Sequence, residues 1–293
     1  MAARKKIVFI INPISGVGKK NTIPPLIEKH LDHTSFEYEI KYTEYRGHGR
    51  ELAHALKDAV NVIVAVGGDG SVNEIGSALI GSKCALAIIP CGSGNGLARH
   101  AQIPLKFSQA IQRINQFEVQ KIDTGKVNDH YFLGTCGFGF DAHVAQKFDE
   151  HPKRGFITYI KLVLREFKKY QPSTFDIHVN GQAFQKTAFM CSVANSSEFG
   201  NGFTISPLSD LQDGKFELIF LKDFPWHRAP GLARRIFNRT VHRSKLFESV
   251  VFENGAELKL AGSESTSLHV DGEPAGSSNI FQIQILPQSL NLL

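Results

Sequence analysis

Val62-Ile-Val-Ala-Val-Gly-Gly-Asp-Gly-Ser-Val-Asn-Glu74 decides how the first half of this chain folds. Its first five residues form a short, unbroken apolar run, the pattern of a strand covered on both faces as in a parallel sheet. Three glycines within four positions follow (Gly67, Gly68, Gly70), and a helical pattern resumes near 71–80. The glycine turn therefore lies at the carboxyl end of a strand, where open α/β sheets bind ligands. Glycines let the backbone approach a phosphate, and the amides at a helix start supply donors. Asp69 is the one carboxylate inside the turn and is placed to reach Mg²⁺ through water. A tight turn in which Asp69 merely caps the following helix accounts for the same letters.

Working outward, 6–11 (KIVFII) and 84–89 (CALAII) repeat the continuous apolar pattern. Helices are expected near 22–31, 49–58 and 107–117. Strand alternating with helix defines a layered α/β domain, expected over 1–123. Two further glycine turns follow strands, one at Asn12-Pro-Ile-Ser-Gly-Val-Gly-Lys-Lys20 and one at Pro90-Cys-Gly-Ser-Gly-Asn-Gly-Leu-Ala-Arg99. The first is not a GxxxxGK(S/T) loop, because its glycine spacing differs and Lys20 follows Lys19. Nor is it the GxGxxG dinucleotide fingerprint, so hydride transfer is disfavoured. Each turn alone is weak; three at one sheet edge point to a nucleotide.

After residue 123 the texture changes. Strands are expected near 130–136, 174–180, 187–194, 215–221, 250–260 and 279–286, with Gly, Asn, Asp and Pro turns between them. Phe281, Ile283 and Ile285 alternate with Gln282 and Gln284, the mark of a half-buried antiparallel strand. A mostly β domain is expected over 124–286, with two helical insertions. The tail, 287–293, either ends there or returns to the first domain.

Of the 293 residues 42% are apolar and 21% charged, with a formal charge of +5. No stretch resembles a signal peptide or a membrane span. Cys84, Cys91, Cys136 and Cys191 have no zinc or CxxC spacing and suit a reduced compartment. The expected setting is cytoplasmic, with peripheral membrane association.

NPISG at 12–16, GGDGSVNE at 67–74, GSGNGLAR at 92–99, SPLSDLQDGKFEL at 206–218 and VDGEP at 270–274 together resemble the diacylglycerol kinase family, which includes sphingosine, ceramide and bacterial lipid kinases. The resemblance spans nearly the whole chain. It implies an NAD kinase/diacylglycerol kinase-like α/β domain, a β-sandwich domain, an active site in the cleft between them, and ATP and Mg²⁺ as cofactors. It further implies nucleotide-binding positions at Asn12, Ser15, Gly16, Thr43, Gly67, Gly68, Asp69, Gly70, Ser71, Asn73 and Ser93. Glu273 matches the general base, and Asp123 joins Asp69 in a carboxylate, water and Mg²⁺ network. Asp213 matches a side-chain ligand of a structural Mg²⁺, completed by backbone carbonyls at Asp210 and Lys215. Gly96 departs from the Asp common in bacterial diacylglycerol kinases and is closer to the sphingosine kinase pattern, so the lipid is not fixed. A soluble-metabolite kinase related to NAD kinase and a catalytically silent lipid-binding protein are the competing readings.

Two segments could meet a membrane. Phe156, Tyr159, Ile160, Val163, Phe167 and Tyr170 recur at helical spacing among Lys161, Arg165, Lys168 and Lys169. Equally, that stripe could cover one side of the β domain. Residues 227–247 carry five arginines and a lysine and no acid before Phe247. A lipid substrate and an anionic membrane surface are the expected partners. No nucleic-acid-binding motif accompanies the charge, and a homodimer stays open.

Overall fold

The computed structural model describes residues 4–14, 22–151, 156–262 and 265–293. The chain forms two compact units, Met1–Asp123 with Pro287–Leu293, and Thr124–Leu286.

The first unit alternates β1 (Lys5–Ile11), α1 (Ile23–His30), β2 (Phe36–Tyr42), α2 (His48–Leu56), β3 (Val62–Gly67), α3 (Asp69–Leu79), β4 (Ala85–Pro90), α4 (Gly96–His100) and α5 (Phe107–Gln116). Its parallel sheet runs in the order β2-β1-β3-β4. Every residue of β3 and β4 is buried, which is why both read as continuous apolar runs. Phe9, Val64 and Ala87 line one face with Ile27 of α1 and Ile111 of α5. β2 lies at the sheet edge and has no continuous apolar run to mark it. There Phe36, Tyr38, Ile40 and Tyr42 alternate with Glu37, Glu39 and Lys41, and charge on an edge strand discourages further pairing.

The second unit continues from β5 (Gln120–Val127), which begins in the first, through β6 (His130–Phe132), β7 (Thr135–Gly139), α6 (Phe140–Asp149), α7 (Phe156–Phe167), β8 (Ser173–Val179), β9 (Gln182–Ala188) and β10 (Met190–Ala194). It then adds β11 (Phe216–Leu221), α8 (Ala229–Phe237), β12 (Phe247–Phe252), β13 (Ala256–Leu260), β14 (Thr266–Val270), β15 (Glu273–Ser278) and β16 (Ile280–Leu292). An antiparallel sheet of order β12-β11-β10-β7-β14-β15 faces the set β16-β13-β8-β9. Their shared core contains Phe138, Val193, Leu218 and Phe220 from one sheet and Phe175, Ile177, Leu258 and Phe281 from the other. This is a β sandwich.

On the six-stranded sheet the alternate residues, Met190, Ile219 and Leu221, pack under α6, α7 and α8. Leu162, Leu232 and Ile236 are buried in that layer, with Tyr159, Val163, Phe167 and Tyr170 packed against it. Of the two readings of the 156–170 stripe, the packing of Tyr159, Val163, Phe167 and Tyr170 favours the one in which it covers a side of the β domain. The expected strands 130–136 and 250–260 each break into two, at 133–134 and 253–255. β16 ends in the first unit, where Leu292 pairs in parallel with Leu86 and the Leu293 amide donates to the Leu86 carbonyl at 2.9 Å.

Candidate active site

From β1 the chain adds β2 on one side, then crosses back to place β3 on the other. The carboxyl ends of β1 and β3 thus flank a topological switch point. Asn12 leaves β1 there. Its amide donates to the Val66 carbonyl at 3.0 Å, its Nδ2 to Ser71 Oγ at 3.0 Å, and its Oδ1 accepts the Ile14 amide at 2.9 Å. Thr43 follows β2 and donates its amide to Ile11 at 3.0 Å. Asn12, Thr43 and the Gly67–Ser71 turn are therefore brought to one sheet edge. Asn73 is buried in α3. Ser15 and Gly16 lie outside the described residues.

The second and third glycine turns touch backbone to backbone. The Cys91 amide donates to Gly67 at 2.8 Å, and a Cβ on Gly92 would stand 2.6 Å from the Gly68 Cα. No side chain fits between them. Asn95 closes the third turn on itself, donating Nδ2 to the Gly92 carbonyl at 2.7 Å and accepting the Gly92 amide at 3.0 Å. Arg99 Nε donates to the Gly94 carbonyl at 3.0 Å. Ser93 stays exposed in this turn. Burial pushes the Cys91 thiol up to about 11, so it enters the turn as a small neutral group.

Asp69 joins the two turns. Its Oδ2 accepts the Asn95 amide at 2.8 Å and its Oδ1 accepts the Gly96 amide at 2.7 Å. The capping expected of Asp69 thus falls on the distant helix α4, while Gly68 holds the cap position of α3. A carboxylate oxygen carries two lone pairs, the capacity to accept a backbone amide and a water of a hydrated ion together. Backbone amides and a carboxylate suit phosphate and hydrated Mg²⁺, and the residues present fit that pair.

Asp123 is fully buried in β5 and accepts the Gln288 amide at 2.7 Å. It fastens the terminal segment of the first unit.

In the second unit β14 and β15 form a tight hairpin around Asp271 and Gly272, with φ of 49° and 82°. Positive φ at both central residues makes a type I′ turn, for which Asp-Gly is a favoured pair. Asp271 is clamped by three amides: Leu133 to Oδ2 at 2.8 Å, and Gly134 and Thr135 to Oδ1 at 2.8 and 2.9 Å. Glu273 opens β15 immediately after, half-buried. His269 is buried and bonded to Asp141, so it is a structural histidine rather than an exposed base.

The 210–215 loop is exposed at Asp210, Asp213 and Lys215. Asp210 Oδ1 accepts the Gln212 amide at 3.0 Å and Asp213 Oδ1 the Lys215 amide at 2.9 Å, two Asx turns in succession. A Glu253 hydrogen bond at 3.0 Å holds the Lys215 amine above its ordinary value. Among the described residues no three His, Cys, Asp or Glu side chains form a ligand cluster. The expected set has one carboxylate and two carbonyls, a hard-oxygen set of the kind Mg²⁺ and Ca²⁺ take.

The sequence reading passed over three positions. Asn95 sits inside a glycine run, where an Asn is a natural closer of turns. Asp271 was overshadowed by Glu273. Asp141, the carboxylate in Cys136-Gly-Phe-Gly-Phe-Asp141, was missed; an acid within so apolar a run signals a buried polar partner.

An α/β unit with paired glycine turns at its switch point, followed by an antiparallel sandwich, defines the class of two-domain kinases built on the diacylglycerol kinase catalytic domain. Residues 6–127 match the diacylglycerol kinase catalytic domain, and residues 134–293 match the YegS C-terminal NAD kinase beta sandwich-like domain. The chain belongs to the family of bacterial YegS-like and diacylglycerol kinase-like lipid kinases. It is 26% identical over 288 residues to the diacylglycerol kinase of Bacillus subtilis (strain 168), covering 93% of this chain and 91% of that one. It is 25% identical over 270 residues to a Yersinia enterocolitica protein named "Probable lipid kinase YegS-like", covering 89% and 88%. A diacylglycerol kinase structure from Bacillus anthracis str. Sterne shares the fold with a TM-score of 0.74 at 19% identity, covering 100% of this chain and 97% of that one. A second structure from that organism gives 0.80 at 22% identity, covering 99% and 96%.

Proposed function

We propose that this chain transfers the γ-phosphoryl group of ATP to the hydroxyl of a membrane lipid, a diacylglycerol or a sphingoid-type lipid, with Glu273 as general base. The observation that carries the reading is the apposition of the Gly68 and Gly92 turns, tied through Asp69, at the switch point of a parallel sheet. Backbone amides there suit the phosphates, and Asn12, Thr43 and Ser93 lie on turns or strand ends suited to the rest of the nucleotide. Mg²⁺, when bound with ATP, neutralises charge on the β- and γ-phosphates; Asp69 and Asp123 are the carboxylates proposed for its water shell. Asp213, with the carbonyls of Asp210 and Lys215, is proposed to hold a second, structural ion.

In the transfer the lipid oxygen bonds to the γ-phosphorus, the bond to the β-phosphate oxygen breaks, and ADP leaves. The hydroxyl proton passes to the Glu273 carboxylate. For the membrane, exposed Trp226 and Phe237 lie near exposed Arg228, Arg234 and Arg235 in sequence. Apolar side chains beside cations suit an anionic lipid interface. Among the described residues no helix is long and apolar enough to span a bilayer.

The test is a panel of diacylglycerol, monoacylglycerol, phosphatidylglycerol, sphingosine, ceramide and NAD with labelled ATP and Mg²⁺, resolved by thin-layer chromatography. A labelled lipid, absent when Asp69→Asn replaces the parent, is the expected result. Label in NAD alone overturns the lipid assignment, and label in nothing favours a silent lipid-binding protein.

A further inference from the structure

We propose that His269 is a positioning residue for Glu273, holding the turn from which Glu273 emerges in one geometry; the inference rests on the reading of Glu273 as the base. His269 is 2% exposed. Its Nε2 lies 3.1 Å from Asp141 Oδ2, which also accepts the Ser192 hydroxyl at 2.5 Å. Its Nδ1 accepts the Gly272 amide at 3.3 Å. A backbone amide only donates and a carboxylate only accepts, so the two partners select one tautomer: proton on Nε2, lone pair on Nδ1.

The chain accommodates this relay. His269 pairs with Gly137 across β14 and β7, and a Cβ on Gly137 would stand 2.0 Å from Asp141 Oδ2 and 2.5 Å from His269 Nε2. Only glycine leaves room for the bridge, although glycine in mid-strand weakens the strand. The Phe199 ring packs edge-on against the imidazole with centroids 5.7 Å apart.

The consequence falls on the hairpin. Asp271 is held through its carboxylate by three amides, and Gly272 through its own amide by His269. Both turn residues are thus fixed from the sandwich side, and Glu273 is the next residue. A base must sit within hydrogen-bond reach of its proton, and misplacement by about 1 Å costs on the order of 10²-fold in rate. Asp141 and Ser192 act one step further back, by fixing the ring. An unremarkable buried polar pair would satisfy the same Asp141 bond but would not need the Gly272 contact.

Two substitutions separate these roles. The side-chain oxygen in His269→Asn reaches the place of Nδ1 and keeps an acceptor for Gly272; the amide nitrogen in His269→Gln reaches the place of Nε2 and keeps the bond to Asp141. Expected are a fall in kcat of about 10- to 100-fold in H269Q with KM for ATP and lipid unchanged, and recovery in H269N to within about 5-fold of the parent. The double variant H269Q/E273Q should be no slower than E273Q alone, because the two act through one group. Parental kcat in folded H269Q, equal losses in H269N and H269Q that follow their melting temperatures, or additive losses in the double variant would each overturn the proposal. Should neither variant fold, nitrogen shifts of backbone-assigned His269 in the parent protein decide it: a proton on Nδ1 excludes the Gly272 bond. Parental kcat in E273Q defeats the base reading itself, whereas slow E273Q beside fast H269Q defeats only the relay.

Discussion

The carboxylate of Asp69 accepts the backbone amide of Gly96 at 2.7 Å, while its other oxygen accepts that of Asn95 at 2.8 Å. One side chain at the start of α3 therefore holds the start of α4. An acid in a glycine turn is usually read for its charge alone; here both oxygens also build the turn pair.

Asp69→Asn follows from that geometry. An amide can satisfy one of the two N–H donors but turns its own NH₂ toward the other. Removing a charge-assisted acceptor leaves an amide unpaired, at a cost of about 2 kcal/mol. D69N should lose most of its turnover and also melt at a lower temperature than the parent. Normal turnover would remove Asp69 from the Mg-nucleotide role, and an unchanged melting temperature would remove it from the turn.

Asp271 and Glu273 should separate cleanly, although two residues apart. Asp271→Ala strips three amides of their acceptor, and a loss of about 3 kcal/mol or more in stability is expected. Glu273→Gln keeps the shape and hydrogen-bonding reach of the side chain and removes only its ability to take a proton. It should lower kcat by about 10² to 10⁴ with the melting curve and ATP-analogue affinity preserved. Calorimetric binding and kcat on one preparation of each variant check this. A stable E273Q with parental kcat would reject the base.

Acid sensitivity is expected where α6 meets α7. His143 Nε2 lies 3.0 Å from Glu166 and Arg165 Nε donates to it at 2.8 Å. The His143 bond first, then Arg165, hold the Glu166 carboxyl down to about 2 from its ordinary 4.5. Between those values the unfolded chain binds a proton that the folded chain does not, so stability rises with pH in that window. Its contribution is complete above pH 4.5 and disappears as pH falls through about 2. Melting temperature against pH should show a shallower acid limb in Glu166→Gln; superimposable limbs would refute the assignment.

The α/β-then-sandwich class was legible because its strongest pattern is physical. A strand covered on both sides has no polar face, and β1, β3 and β4 show it. The same pattern in Phe216-Glu-Leu-Ile-Phe-Leu221 arises differently: β11 is antiparallel, but helices cover its second face. β2 lacks that run: its signal is the alternation of Phe36, Tyr38 and Ile40 with Glu37, Glu39 and Lys41, while its place at the edge is a property of sheet order that no local window contains. The site was legible as glycine turns and less so as contacts. Asp69 and Gly96 are 27 positions apart, and Asp271 and Gly134 are 137 apart, so their bonds follow from topology alone.

The membrane prediction changes most once the fold is known. Tyr159, Val163 and Phe167 of α7 pack against the helical layer, so replacing them should destabilise the protein rather than release it from lipid. Around α8 the arrangement is the reverse. Leu232 and Ile236 face inward, while Phe237 and Trp226 stand 49% and 44% exposed and Arg234 and Arg235 face solvent. Cations beside exposed rings should draw the protein to anionic vesicles, each contributing roughly 1 kcal/mol near the surface. Binding should weaken between low salt and about 0.15 M, where the screening length is about 8 Å. Arg234→Glu with Arg235→Glu should weaken flotation with phosphatidylglycerol vesicles at least about 10-fold, since two charges are reversed. Trp226→Ala should weaken it less and with little change in salt dependence, because the lost contribution is apolar burial. Tyr159→Ala should lower the melting temperature while leaving the vesicle affinity of the folded fraction intact. Equal flotation of parent and R234E/R235E, or equal recovery on neutral and anionic vesicles, would take the electrostatic role away from this surface.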